Sequence, residues 1–138
     1  MMGILKDILG PGDVPAETDR KFAVLLNAGP EDTAVAGNGF NYALELDEAG
    51  YEVQVFLDGP ATKWAEEFSE NPDRPYHHEW KRIRENGLLA GACGYCADAF
   101  DVTEACEMYD VRLLSDKGEH APAVPTLAAE GYELVTVG

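Results

Sequence analysis

From Lys21 onward, short apolar runs alternate with longer stretches in which apolar residues recur at helical spacing. Phe22 to Leu26 is an unbroken apolar run, the mark of a strand buried on both faces. Asn27-Ala28-Gly29-Pro30-Glu31-Asp32 then forms a turn, with Asp32 or Thr33 placed to cap a helix. Ala36, Phe40, Ala43 and Leu44 recur at the period of that helix, and Gly50 stops it. Tyr51 to Leu57 alternates Val53, Val55 and Leu57 with Glu52 and Gln54, which predicts a second strand with one face less covered. Asp58-Gly59-Pro60 breaks the run. Ala61 to Glu70 and Tyr76 to Glu85 predict two helices separated by the loop Asn71-Pro72-Asp73-Arg74-Pro75.

Leu88 to Ala92 predicts a third strand, Val111 to Leu114 a fourth and Tyr132 to Val137 a fifth. Between them, Tyr95 to Tyr109 is mostly helical with an interruption near Asp101, and Val124 to Ala129 is a further helix. Strands that alternate with helices at this spacing form parallel βαβ units with right-handed crossovers. The pattern therefore predicts an α/β protein, a three-layer α/β/α sandwich around a five-stranded, mainly parallel sheet. Residues 1–20 read as an N-terminal appendage to a domain at 21–138. There Ile4, Leu5, Ile8 and Leu9 make one face of a short helix that Gly10-Pro11-Gly12 ends. Gly37-Asn38-Gly39 falls inside a helix rather than opening one, so it is no phosphate-binding loop.

Composition narrows the function classes. Twenty-six Asp and Glu against ten Lys and Arg give a net charge of −16 and a pI near 4.3. Such a surface repels nucleic acid and anionic membrane, so neither is an expected partner. No apolar run approaches the roughly 20 residues of a membrane span, and the first residues lack the pattern of a secretory signal. The expected location is cytoplasmic. Three cysteines, an odd number, argue against a disulfide framework. A zinc site from Cys93, Cys96, Cys106 and one of His77, His78 or His120 would arise only by accident of folding, so no metal or cofactor is expected.

The chemistry concentrates at Ala92-Cys93-Gly94-Tyr95-Cys96. A cysteine at the carboxyl end of a buried strand lies where open α/β sheets place their ligands. If a helix begins there, its unpaired N–H groups and dipole favour the thiolate, the reactive form. Cys93 is thus the candidate nucleophile and Cys96 its nearest partner thiol. Cys106, near Met108 on a helix, reads as core, and His120 as solvated in its Gly-Glu-His-Ala loop. Trp64, Phe68, Tyr76 and Trp80 read as structural filling. Gly29, Pro30 and Asp32 line the same sheet edge as Cys93. With Gly94 and Tyr95 they are candidates to hold an anion or substrate, on the backbone N–H groups that all but Pro30 carry.

Four features together resemble the DsrE/DsrF-like family of small sulfur-handling proteins. These are the strand-end Gly29-Pro30-Glu31-Asp32 turn, the run Ala49-Gly50-Tyr51-Glu52-Val53-Gln54-Val55-Phe56, Cys93 at the end of the third strand, and a closing short strand. The resemblance implies a sulfur relay, in which Cys93 takes sulfane sulfur as a persulfide and passes it to another protein's thiol. It also implies a homo-oligomer, a trimer or hexamer, together with donor and acceptor proteins. Cys96 keeps open a Cys-x-x-Cys dithiol oxidoreductase, and a non-catalytic oligomeric binding module is the third reading.

The excess of carboxylates over lysines is what a salt-adapted, halophilic proteome shows. Self-repulsion opposes the compact state at low ionic strength, and screening relieves it. The thermal unfolding midpoint is expected to rise between dilute buffer and molar salt, as followed by circular dichroism. A midpoint that stays level or falls would remove this reading of the charge.

Overall fold

The computed structural model describes residues 19–138; the helix expected at Ile4 to Leu9 and most of the appendage lie outside the described residues. The strands are β1 (Lys21–Leu26), β2 (Glu52–Leu57), β3 (Leu89–Ala92) and β4 (Tyr132–Val137). All pair in parallel, in the order β3-β2-β1-β4. The helices are α1 (Thr33–Glu48), α2 (Trp64–Glu70), α3 (His77–Glu85), α4 (Gly94–Ala99), α5 (Thr103–Met108) and α6 (Val124–Ala129). Short 3-10 turns at Pro30–Asp32 and Gly59–Lys63 lead into α1 and α2.

Among the described residues the sheet has four strands, not the expected five. Val111 to Leu114 is apolar enough for a strand, but it meets β3 in one parallel bridge, between Ala92 and Leu113. Ala92 N–H donates to the Arg112 carbonyl (2.8 Å), and Leu114 N–H donates to the Ala92 carbonyl (2.9 Å). No second rung forms, because the chain turns into α4 directly after Cys93. On the other side of the bridge Gly91 has φ 148°, and a side chain there would collide with the Arg112 carbonyl.

The expected third layer is also reduced, for a topological reason. The connections β1–α1–β2 and β2–α2–α3–β3 step in one direction across the sheet. Right-handed crossovers therefore leave their helices on one face. The connection from β3 to β4 returns past β1 and brings α6 to the opposite face. Among the described residues that face is covered mainly by Leu127 of α6, over Ala23, Leu25 and Phe56. The other face carries the large core, with Phe22, Val24, Leu26, Val53, Val55 and Leu57 beneath α1 and its neighbours.

Local sequence explains the helix ends. Gly50, at φ 95°, terminates α1, and its N–H donates to the Asp47 carbonyl. Asp32 occupies the N-cap position of α1 without a capping hydrogen bond, and the Thr33 hydroxyl donates to the Pro30 carbonyl instead. The interruption expected near Asp101 is real: this residue takes φ 58° between α4 and α5. The glycines inside α1 answer to close packing. A Cβ on Gly37 would strike the Tyr76 ring, and one on Gly39 would press on Leu26. Arg20, the last residue of the expected appendage, forks onto both carboxylate oxygens of Glu133 on β4.

The aromatic group is structural filling, as its burial shows. Trp64 and Phe68 stack at 4.5 Å between ring centroids, Phe68 and Trp80 stack at 5.2 Å, and Phe40 packs edge-on to Trp64. Trp64 also donates its indole N–H to the buried Ala28 carbonyl at 2.8 Å, tying α2 to the end of β1. Phe68→Ala would open a cavity between two tryptophans, and a loss of about 3–5 kcal/mol is expected in denaturant unfolding. A loss near zero would mean the stack contributes nothing to stability.

Candidate active site

Register positions the site. Leu26 pairs with Leu57, and Leu57 with Ala92. The next residues, Asn27, Asp58 and Cys93, therefore emerge at one level along the carboxyl edge of three adjacent strands. Backbone bonds hold that level: Cys93 N–H donates to the Leu57 carbonyl (2.9 Å) and Asp58 N–H to the Leu26 carbonyl (2.9 Å). Past Cys93 the chain enters α4, which places Cys96 one turn along, beside the same edge.

The Cys93 sulfur is fully buried, although the carboxyl edge of an open sheet is where a ligand-facing thiol would be expected to stand accessible. Its surroundings are polar rather than oily. The N–H groups of Cys96 and Ala121 donate to it at 3.4 and 3.3 Å, and His120 Nδ1 lies 3.4 Å away. The far nitrogen of the same ring, Nε2, lies 3.4 Å from Asp58 Oδ2, and the His120 side chain is 54% exposed. Asp58 in turn accepts the Gly59 N–H and the Cys96 thiol, the latter at 3.1 Å. A sulfur, an imidazole and a carboxylate thus stand in series, the order in which a nucleophile, a base and an orienting group are arranged.

The second thiol differs from the first. Burial, followed by the bond to Asp58, pushes the Cys96 thiol up to about 12, so it keeps its proton at neutral pH. Burial also pushes Cys106 up to about 11, with Glu107 and Glu66 adding to it. Cys106 lies in the core with its sulfur toward the Thr62 carbonyl, away from the other two. All three cysteines are free thiols.

His120 reaches Cys93 on the loop that leads from Leu114 to α6. This loop is fastened where Gly94 N–H donates to Ser115 Oγ (3.0 Å) and Ser115 Oγ donates to the Glu119 carbonyl (2.6 Å). It is fastened again where Ala121 N–H meets the Cys93 sulfur.

A family model for DsrE/DsrF-like proteins matches residues 20–137, nearly the whole of the described domain. The chain belongs to the DsrE/DsrF-like family. A solved structure, a conserved protein of unknown function from Bacteroides thetaiotaomicron, superposes with a TM-score of 0.59 at 17% identity. The match covers 88% of this chain and 98% of that one, and it shows a shared fold. Comparison with curated proteins finds no match.

Within this DsrE/DsrF-like domain, Cys93 and Cys96 converge, and two residues that sequence reasoning set aside, Asp58 and His120, complete the group. Asp58 carried a readable signal, since a polar residue directly after the strand preceding β3 must emerge beside Cys93. His120 carried none, because it arrives through a loop 27 residues further on. The turn Gly29, Pro30 and Asp32 lies at the end of β1, where Gly29 is packed against Pro60. Asp32 N–H donates to the Gly29 carbonyl, while the Pro30 carbonyl accepts from Arg74 and Thr33. Gly94 is pressed against the Ser115 carbonyl, and Tyr95 projects outward, half exposed. Of the basic residues, Arg74 is held by Glu67 and Thr33, while Arg84 reaches the Asp110 carbonyl.

Among the described residues no helix is long and apolar enough to cross a membrane. Gly94→Ala would drive a Cβ to 1.8 Å from the Ser115 carbonyl, displacing the loop that holds His120. A loss of about 1–3 kcal/mol is expected from this overpacking. Gly118→Ala, in the same loop with open space around it, is expected to stay within about 0.5 kcal/mol of the parent. Equal effects of the two substitutions in denaturant unfolding would contradict the packing seen at Gly94.

Proposed function

We propose that the protein is a sulfur carrier that accepts sulfane sulfur on Cys93 and delivers it to a partner thiol. The observation that carries this reading is the Cys93 sulfur facing His120 Nδ1, with Asp58 behind the ring and two N–H donors on the sulfur. Membership of a family linked to sulfur relay supports it.

In the loading step His120 takes the Cys93 proton, and the thiolate attacks the outer sulfur of a donor persulfide, R–S–SH. A sulfur–sulfur bond forms to Cys93 as the donor's own bond breaks, and R–S⁻ leaves. In the delivery step an acceptor thiolate attacks the outer sulfur of the Cys93 persulfide, and Cys93 leaves as thiolate. Neither step consumes an oxidant or reductant. Asp58 holds the imidazole through Nε2, so that Nδ1 faces the sulfur. Because Cys93 is buried, loading requires the His120–Ala121 loop to lift and make room for a second sulfur.

Cys96 decides between carriage and disulfide exchange. A Cys96 thiolate would attack the Cys93 persulfide, release sulfide and leave a disulfide. The Cys96 thiol instead donates to Asp58, and a protonated thiol is not the attacking form. That arrangement favours a carrier over a dithiol oxidoreductase.

Intact mass after incubation of the reduced protein with a sulfane-sulfur donor tests the reading. One added sulfur is expected in the parent and in Cys96→Ser, and none in Cys93→Ser. His120→Ala is expected to load about 100-fold more slowly, from the usual contribution of a positioned base. A loss of two hydrogens that either cysteine substitution abolishes would establish the dithiol reaction instead. No mass change in any variant would leave a binding module.

A further inference from the structure

Four side chains from three separate segments converge on one small volume. Asp58 follows β2, Cys93 and Cys96 bracket the first turn of α4, and His120 comes from the loop before α6. One donor atom from each lies within 4.8 Å of every other. We propose that these residues bind a thiophilic divalent cation of the zinc class.

The donor set selects that class. Two thiolates with one imidazole nitrogen and one carboxylate oxygen suit a borderline-soft, four-coordinate ion, whereas magnesium and calcium require oxygen ligands. The spacing fits as well. Zinc bonds of about 2.0–2.3 Å at tetrahedral angles separate neighbouring donors by roughly 3.3–3.8 Å. The structure places Cys93 Sγ 3.4 Å from His120 Nδ1, and Cys96 Sγ 3.1 Å from Asp58 Oδ1. Small side-chain rotations therefore close the remaining gaps within the 4.8 Å limit, and His120, on an exposed loop, has the freedom to make them.

The groups around these four are also suited to metal ligation. Two backbone N–H groups already point at the Cys93 sulfur, the outer-shell bonding that fixes a metal thiolate in place. Asp58 is oriented by the Gly59 N–H. Binding replaces two thiol protons with one cation, and both protons pass to the buffer. Three anionic ligands on a doubly charged ion leave a single negative charge. The −16 chain enriches cations near its surface, which favours capture.

The set is not the one that counting cysteines suggests. Cys106 faces the Thr62 carbonyl in the core, and His77 packs on Phe68. The inference stands apart from sulfur carriage, although metal and persulfide both require the Cys93 sulfur and so exclude one another.

Anaerobic titration of the reduced, chelator-treated full chain with Co²⁺ tests it. The expected result is one equivalent bound, with the strong visible bands of tetrahedral cobalt and near-ultraviolet thiolate-to-cobalt charge transfer. Zn²⁺ should displace the cobalt and bleach both. Cys96→Ser, His120→Ala and Asp58→Asn should each weaken binding by at least about 100-fold, and Cys106→Ser should bind as the parent does. Circular dichroism of each variant confirms that it is folded. No stoichiometric uptake, a spectrum without charge transfer, or parent-like binding in all three ligand variants would overturn the proposal. Metal-free protein that gains sulfur but binds no cobalt would sink this inference and leave the carrier intact. Cobalt binding without sulfur uptake would do the reverse.

Discussion

Parallel register between β1, β2 and β3 is the constraint on which the rest of this molecule depends. In a parallel sheet each strand leaves the ladder at the same edge, so equal register levels the residues that follow. Here that edge presents Asn27, Asp58 and Cys93 side by side. A slip of one residue in β3 would turn Ala92 out of the core and carry Cys93 to the other face of the sheet. The small side chains of β3 belong to the same constraint. Gly91 admits the Arg112 carbonyl, and Ala92 makes the one bridge to Leu113 that starts the return path toward His120.

The chemistry of the edge follows from what surrounds each sulfur. Cys93 receives hydrogen bonds from backbone and faces an imidazole; Cys96 gives its hydrogen to a carboxylate. The two thiols of one Cys-x-x-Cys segment are thereby made unequal. Asp58 does this through its two oxygens, one for Cys96 and one for His120. The same unequal pair, with its carboxylate and imidazole, is a donor set for a soft cation once both thiols lose their protons. Both proposals, sulfur carriage and metal capture, rest on this one geometry, and each needs the Cys93 sulfur.

Most elements were legible because their signals are local. The apolar run of β1, the alternation in β2, the helical period of α1 and the stop at Gly50 each follow from a few neighbouring residues. The strand expected at Val111 to Leu114 failed because its composition was right and its partner was not. β3 ends after Ala92, so only one rung was on offer. The third layer fell short for a similar reason: strand order, which periodicity does not report, sends only α6 to the second face. Cys93 and Cys96 could be singled out because strand end and helix start adjoin in sequence. The burial of Cys93 could not, because a distant loop supplies its cover.

The sequence by itself determined the alternation of strand and helix, the family and the thiol pair at the end of β3. These depend on side-chain size, polarity and spacing within a few turns of chain. Tertiary structure alone brought His120 over Cys93, turned Cys96 onto Asp58 and closed the four side chains into one group. Asp58 and His120 are 62 residues apart yet 3.4 Å from one another. No local preference encodes that approach. It results from parallel register on one side and from the docking of the Ser115–His120 loop on the other.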